Sequence, residues 1–346
     1  MGKSKRRQVA VSKSIQYALF RDPKRFRRSL LARILAFFTL WRIKLIRYGY
    51  ELFRRLRHEV WEIDEEEYKA CFRFENGKGL QPMGDLGYSG STFFFTSDSK
   101  FLIKSVPRHF EHTFFRDELF LPYYDYMTSH PDSLLVRITD FLISPYRTLG
   151  GLLRLTPAHH VIMENVLCGR QSDPAADAWE TYDLKPVDYF YPERDLPLPD
   201  RFVSGETATR KGLADTFEDK MRITRAQYED LKRTVEEDTG FLQQADAVDY
   251  SLFLVRFPAG SSRPDVVGRK TQWRVGVPST DGRWKYRAVL LDFFFAKHTL
   301  HAQAVTGAVQ TFNMVGRKGP MTITTTPEEY RQKFLAMIDG IMELQG

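Results

Sequence analysis

The order of hydrophobic patterns predicts an α+β chain in two lobes. Three observations carry that prediction. Between about residues 92 and 167, short aromatic and β-branched runs alternate with brief polar links, the signature of a largely antiparallel sheet. Two periodic segments in the C-terminal half, "TRAQYEDLKRTVEEDTG" and "TPEEYRQKFLAMIDGIME", carry helix start signals and are interleaved with strands. The 346 residues, 42% apolar and 27% charged, supply core enough for one large domain or two lobes.

The elements follow in chain order. From Ser12 to about Arg57, Leu30, Leu31, Ile34, Phe37, Phe38, Trp41 and Leu45 recur at helical spacing with arginines between them. This predicts amphipathic helices, broken near Asp22-Pro23. Residues 1–44 form a basic helical arm and 45–346 the folded body, with an N-lobe at about 45–165 and a C-lobe at about 166–346. "YELFRRLRHEVWEIDEEEYKACF" (50–72) continues as helix and enters the body through the acidic cluster Asp64 to Glu67. Residues 92–96 and 101–106, joined by "SDSK", read as a hairpin. A helix follows over 110–129, then strands at "LLVRITDFLIS" (134–144) and "HVIMENVL" (160–167). Gly169 to Trp179 is polar and turn-rich, and the lobes divide at or just before it.

In the second lobe, Thr224 and Gln227 stand at capping-box spacing, Tyr228, Leu231 and Val235 share one helix face, and Gly240 is the expected stop. "VDYSLFLVRF" (248–257) is a strand, 258–283 an irregular loop, and "YRAVLLDFFF" (286–295) a buried strand. The last helix has Thr326 as N-cap and Pro327 at its first position.

Composition narrows the function classes. The two cysteines, Cys71 and Cys168, are far apart, which argues against a disulfide framework or zinc site and for a reducing compartment. Residues 1–57 hold seventeen Lys or Arg against Asp22 and Glu51, a net +15, which leaves the remainder of the +7 chain at −8. A basic arm on an acidic body points to a polyanionic partner, a membrane surface or nucleic acid. The best apolar run, "LLARILAFFTLW" (30–41), is interrupted by Arg33 and falls short of a bilayer span. The N-terminus lacks a signal-peptide pattern, and Arg6 stands where a myristoylation signal wants Ser or Thr. The mixing of arginines with aromatic and aliphatic residues favours an interfacial helix on anionic lipid. A nuclear-localisation signal or RNA contact through "KSKRR" is the alternative, with nucleic acid the less favoured partner.

Four pieces form a chemical set. "GYSGSTFFFTSDSKFLIK" (87–104) leads a glycine-serine loop into a hairpin whose second strand carries Lys104. "HVIMENV" ends in a polar stretch, "VDYSLFL" opens on Asp249, and "VLLDF" ends on Asp292. Phosphoryl transfer needs backbone N–H groups around phosphates, a lysine on them, a carboxylate for Mg²⁺ and a second carboxylate for the attacking hydroxyl. Each piece alone also describes an ordinary turn, a snorkelling lysine or a strand edge. Asp292 is the most pointed, since a carboxylate between "AVLL" and "FFF" needs a partner.

In this order the pieces resemble the phosphatidylinositol phosphate kinases, lipid kinases with a two-lobed, protein-kinase-like fold. The family's "MDYSLL" is similar to "VDYSLF" here, its "IID" to "LLD", its "YDLKG" to "YDLKP" (182–186) and its hinge "VMNNV" to "IMENV" (162–166). The colinear resemblance covers about 45–346. It implies ATP and Mg²⁺ between the lobes, with the γ-phosphoryl passed to an inositol hydroxyl of a phosphoinositide at the cytoplasmic face of a membrane. It further implies that Gly87, Ser89, Gly90, Ser91 and Lys104 hold the ATP phosphates, and that Glu111 pairs with Lys104, with Glu118 as the fallback. Asn165 and Val166 would meet the adenine through their backbone, Lys185 the γ-phosphate; Asp249 would be the catalytic aspartate and Asp292 the Mg²⁺ ligand. A homodimer through the N-terminal helices is a further implication.

The chain departs from the family pattern at two places. Pro186 replaces the glycine of "DLKG", which fixes φ and removes an N–H. The segment after Asp292 carries Lys297, His298 and His301 where the family has a paired Lys-Lys that reads the lipid headgroup. The alternative reading is therefore a catalytically weak or inactive kinase-fold protein acting as a membrane-bound phosphoinositide-binding scaffold. The adjacent His159 and His160 point to opposite strand faces and form no metal pair.

Overall fold

The structure, a computed structural model, describes residues 3–21, 34–35, 37–41, 43–73, 79–83, 91–153, 155–186, 217–261, 266–296 and 326–344. It divides into two compact units. Unit 1 comprises Met1–Asp132, Val136–Ala176 and Ser262–Thr271; unit 2 comprises Ser133–Leu135, Asp177–Ser261 and Gln272–Gly346. Both are mixed α/β with antiparallel sheets. No helix among the described residues is long and apolar enough to cross a membrane.

Unit 1 opens with α1 (Lys3–Phe20), which begins well before the periodic pattern at Ser12 suggests. Val11, Ile15, Ala18 and Leu19 lie on one helical face and are buried. Gln16 Nε2 donates to the Phe72 carbonyl at 2.9 Å, so this helix is tied to the body of the unit. The predicted helix through residues 43–49 is absent. The chain instead forms β1 (Ile46–Tyr48), antiparallel to β5 (Ile138–Ile143). Tertiary contacts override the helical period here. On β1, Arg47 is buried and makes two bonds to Asp140 on β5, at 3.0 and 2.7 Å. Asp140 is fully buried and also accepts from Arg57 at 3.2 Å and from the Tyr68 hydroxyl at 2.8 Å. Leaving that carboxylate without its arginines would cost several kcal/mol, about 3–5 for a broken buried pair.

Gly49, at φ 60, turns the chain into α2 (Tyr50–Arg55). A Cβ there would stand 2.3 Å from the Phe120 ring, in a conformation that glycine adopts without strain. The expected single helix over 50–72 is split at Trp61–Asp64, where Glu62 takes φ 56. Asp64 then caps α3 (Glu65–Ala70) by accepting from the Glu66 and Glu67 N–H groups, both at 2.9 Å. The acidic cluster is thus a helix start rather than a helix interior.

The six-stranded sheet has the order β1-β5-β6-β4-β3-β2, every neighbouring pair antiparallel. It comprises, besides β1 and β5, β2 (Gln81–Met83), β3 (Phe93–Phe95), β4 (Phe101–Ser105) and β6 (His159–Glu164). The "SDSK" turn joins β3 to β4 as predicted: Ser99 takes φ 58, and Asp98 accepts from Thr96 Oγ1 at 2.6 Å and from the Lys100 N–H at 3.1 Å. Between β4 and β5 the helical run 109–129 includes α4 (His109–Phe114) and α5 (Phe120–Ser129). A short α6 (Leu149–Leu152) lies between β5 and β6.

Unit 2 is built on a four-stranded antiparallel sheet. It contains β7 (Glu180–Leu184), β10 (Ser251–Pro258), β11 (Val277–Pro278) and β12 (Trp284–Leu291), in the order β11-β12-β10-β7. The capping box of Thr224 and Gln227 forms and starts α7 (Arg225–Gln244). Gly240 does not stop that helix; Leu242 beyond it is buried, and core packing outweighs the ~1 kcal/mol cost of an interior glycine. β9 (Ala247–Val248) pairs with β13 (Phe295–Ala296), and α9 (Pro327–Ile341) carries the predicted Thr326 cap and leading proline. α8 (Gln272–Val275) interrupts the stretch expected to be irregular. The chain ends in β14 (Met342–Leu344), parallel to β8 (Met221–Ile223).

Candidate phosphotransfer site

In unit 2 the site arises where one sheet hands its strands to another. β10 pairs with β12 as far as Ser251↔Leu291, and β9 pairs with β13 from Val248↔Phe295. The residues between these registers turn sharply. Asp249 takes φ 64 and Asp292 φ 63, left-handed backbone for two non-glycine residues that both sit at the break. Aspartate tolerates this region better than most residues, yet each such position still costs about 1 kcal/mol or more. At Asp292 the turn closes with a bond from the Phe294 N–H to the Asp292 carbonyl at 2.8 Å.

Lys185 holds this corner. It follows β7, whose register sets Leu184 opposite Leu252 and Asp183 opposite Phe253 on β10. Its ammonium donates to the Asp249 carbonyl oxygen at 2.7 Å and to Asp249 Oδ1 at 2.9 Å. One cation thereby fixes both the backbone and the carboxylate of Asp249, which explains how the strained turn persists. Both side chains are largely buried, 9% and 15% exposed. Burial pulls the Lys185 ammonium toward deprotonation, but the carboxylates of Asp249, Asp292 and Asp183 outweigh it, and its pKa is raised above the ordinary lysine value. The group therefore stays charged.

Asp183 was missing from the sequence reading. The signal was present, since residues two apart on a strand share a face, and Asp183 precedes Lys185 by two in "YDLKP". Among the described residues, no three His, Cys, Asp or Glu side chains form a group that could hold a metal ion. Asp249 and Asp292 offer hard carboxylate oxygens, the donor type that Mg²⁺ takes alongside phosphates and waters.

In unit 1 the sequence candidates lie on three elements. Lys104 sits on β4, between Phe93 of β3 and Val161 of β6 in register, with its Nζ 6.0 Å from the Phe93 ring centroid. Along β4, Phe101, Ile103 and Ser105 are buried, and Leu102 and Lys104 share the other, half-buried face. Ser91 is buried just ahead of β3. Glu111, in the first turn of α4, is also buried and accepts from Arg108 at 3.3 Å; Glu118 is exposed. After β6, the Asn165 N–H donates to the Lys100 carbonyl at 2.9 Å, and its side-chain amide donates to the Ser99 carbonyl at 2.7 Å. The Asn165 carbonyl accepts from Cys168 at 3.0 Å and its Oδ1 from Leu167 at 3.0 Å. Asn165 thus spends its side chain and N–H on bracing the turn to the β3–β4 hairpin, and Val166 follows it in that turn. Gly87, Ser89 and Gly90 lie outside the described residues, as do Lys297, His298 and His301.

A lysine-pinned aspartate beside a second aspartate, at the ends of strands, is a donor set suited to phosphoryl transfer. The sequence model of the phosphatidylinositol-4-phosphate 5-kinase family matches residues 75–282, more than half of the chain. The chain belongs to the phosphatidylinositol phosphate kinase family, as a divergent member. It is 27% identical over 204 residues to phosphatidylinositol 4-phosphate 5-kinase 1 of Arabidopsis thaliana, a match covering 59% of this chain and 24% of that protein. It is 28% identical over 228 residues to a probable phosphatidylinositol phosphate kinase of Dictyostelium discoideum, covering 61% and 28% of the two chains. It is 28% identical over 193 residues to human phosphatidylinositol 4-phosphate 5-kinase type-1 beta, covering 55% and 31%. The matched stretch therefore spans about a quarter to a third of the length of these curated relatives.

Proposed function

We propose that the chain transfers the γ-phosphoryl group of ATP, with Mg²⁺, to an inositol hydroxyl of a phosphoinositide at an anionic membrane surface, through a two-lobed, kinase-like architecture. The observation that carries this reading is the Lys185 ammonium bound to Asp249 at 2.9 Å and lying in the field of Asp292. Membership of the family supports it.

Each residue then has a part. The Asp249 carboxylate, held by Lys185, would accept the proton of the attacking hydroxyl; its second oxygen remains outside the contact with Lys185 that Oδ1 makes. Lys185, kept charged by three carboxylates, would stabilise negative charge on the transferred group. Asp292 would hold Mg²⁺ from its left-handed turn beyond β12. Bound Mg²⁺ supplies neutralisation of the phosphate oxygens as charge shifts toward the leaving group. Lys104 would grip the α/β-phosphates, with Ser91 and the preceding glycine-serine loop, Gly87, Ser89 and Gly90, around them. Glu111, buried and accepting from Arg108, would be the partner of Lys104, with exposed Glu118 as the fallback. Val166, after the braced Asn165, would meet the adenine. Lys297, His298 and His301 would face the lipid headgroup.

Purified chain with radiolabelled ATP, Mg²⁺ and a panel of phosphoinositide vesicles tests the proposal. Labelled lipid from at least one phosphoinositide is expected. ATP binding with no labelled lipid under any condition would overturn it in favour of the scaffold reading.

A further inference from the structure

Two segments of unit 1 that are more than a hundred residues apart in sequence are stitched together, and both turn large apolar side chains outward. The Gly150 N–H donates to the Thr39 carbonyl at 3.1 Å, and Thr156 Oγ1 donates to the Leu40 carbonyl at 2.7 Å. Gly150 approaches so closely that a Cβ there would stand 1.9 Å from the Leu40 oxygen, so only glycine permits this seam. On one side, Leu35 is 71% and Phe38 68% exposed; on the other, Leu152 is 60% and Leu153 56% exposed. Ile34, Leu40 and Leu155 extend the same apolar set. Scattered exposed leucines need no explanation, but a set this large at one seam marks an interaction surface.

Charge identifies the occupant. In sequence, residues 21–44 carry eight Lys or Arg against the single acid Asp22, and residues 144–158 carry Arg147 and Arg154 with no acid. Arg147 is exposed, and Lys44 packs 5.7 Å from the Tyr146 ring beside the seam. Burial, and then the neighbouring charge of Arg21, draw the Lys44 pKa below the ordinary lysine value, in keeping with a positive field there. A second copy of the chain docking by a two-fold axis would set this surface against itself, cation against cation. An anionic phospholipid leaflet offers instead acyl chains for the leucines and phenylalanines and phosphates for the rim.

We infer that the seam carrying Leu35, Phe38, Leu40, Leu152, Leu153 and Leu155 is a membrane-insertion platform, its apolar side chains entering an anionic phospholipid leaflet while Lys44 and Arg147 meet the headgroups. It deepens the membrane-surface reading above and rests on it: the arm supplies attraction, and the α6 loop supplies a second, apolar anchor that the charge pattern of the arm does not contain.

The test uses the full chain and its Leu152→Ser/Leu153→Ser variant, whose altered positions are too exposed to carry core energy. Both are sedimented with phosphatidylcholine vesicles containing phosphatidylserine, at low and at high salt. Attraction by charge fades with salt, whereas insertion persists. The variant is expected to lose roughly a hundredfold in partitioning at high salt, since each of the two withdrawn leucines is worth about a factor of ten. Its phosphoryl transfer to detergent-dispersed phosphoinositide is expected to match the unaltered chain. Equal partitioning of the two proteins, with salt-sensitive binding in both, would overturn the platform and leave the electrostatic arm standing. No binding by either would overturn both. A dimer in solution that the double substitution makes monomeric would also overturn the platform, giving the surface to a second copy. Loss of transfer in detergent would overturn it as well, showing that the loop serves the chemistry rather than the membrane.

Discussion

In unit 2, the side chains proposed to carry the chemistry hold one another. Lys185 binds Asp249 by both its carbonyl and its carboxylate, and Asp183 and Asp292 share the same field. In unit 1, the corresponding residues are held by different neighbours. Asn165 braces the hairpin turn, Glu111 meets Arg108, and Lys104 leans over Phe93. The difference separates two kinds of preorganisation. A buried cluster of opposite charges fixes its own geometry without a ligand. A set of side chains spread over a sheet and a helix depends on that scaffold for its positions, and its members gain a common purpose only around a shared ligand.

Substitutions can break that contrast, beginning with the largest effect. Asp292→Asn should lower phosphoryl transfer by about a thousandfold or more, because a carboxylate proposed as a metal ligand is lost. A titration of activity against Mg²⁺ should show the residual rate demanding far more ion; an unchanged Mg²⁺ dependence would remove Asp292 from that role. Lys185→Met should cost about 3–5 kcal/mol of stability by leaving Asp249 without its buried cation, and a denaturant melt checks it. Its turnover should fall with the stability, whereas Lys104→Met should leave the melt nearly unmoved and raise the KM for ATP by about tenfold or more. If the two lysines behave alike in both assays, the contrast between the units fails.

Unit 1 should reveal itself by acid. His112 and His159 are stacked at 3.5 Å between ring centroids, and His160 is buried on the opposite face of the same strand as His159; burial keeps all three neutral. Burial is the main cause in each case, pulling His112 down to about 4 and both His159 and His160 down to about 3, from an ordinary 6.5. Below the ordinary value the unfolded chain binds more protons than the native one. The stabilisation is therefore fully present above pH 6.5 and lost as pH falls toward 4 and 3. By pH 5 the loss is about 2 kcal/mol for each histidine. Denaturant midpoints at pH 7 and pH 5 should differ accordingly, and His160→Leu should shrink the difference. The smallest effect belongs to unit 2: Thr224→Ala removes the α7 cap and should cost about 1 kcal/mol.

Local signals carried much of this architecture. The caps at Thr224 and Thr326 and the "SDSK" hairpin are readable because the residues that make them are neighbours in sequence. β1 was not readable. Residues 46–48 continue a helical period, and only the distant, buried Asp140 makes a strand of them through Arg47. Gly240 likewise signals a stop that packing of Leu242 overrules. At the candidate site, the order of Lys104, Lys185, Asp249 and Asp292 carries the expectation of phosphoryl transfer. It did not give the left-handed turns at both aspartates, which depend on two sheets meeting, nor Asp183's share in the field around Lys185. The docking of α1 through Val11, Ile15 and Leu19 was hidden by its charge, which spoke only of a partner outside the chain. It also makes deletion of residues 1–44 a poor probe of membrane binding, because the cut removes core.

The most direct test of the central claim is the rate of phosphoryl transfer from labelled ATP to phosphoinositide vesicles by Asp249→Asn beside the unaltered chain. Asparagine accepts the left-handed backbone and keeps an oxygen for Lys185, so the corner at φ 64 survives while the base is lost. The account predicts labelled lipid from the unaltered chain and about a thousandfold less from the variant at equal ATP affinity. Equal rates from the two proteins would contradict it.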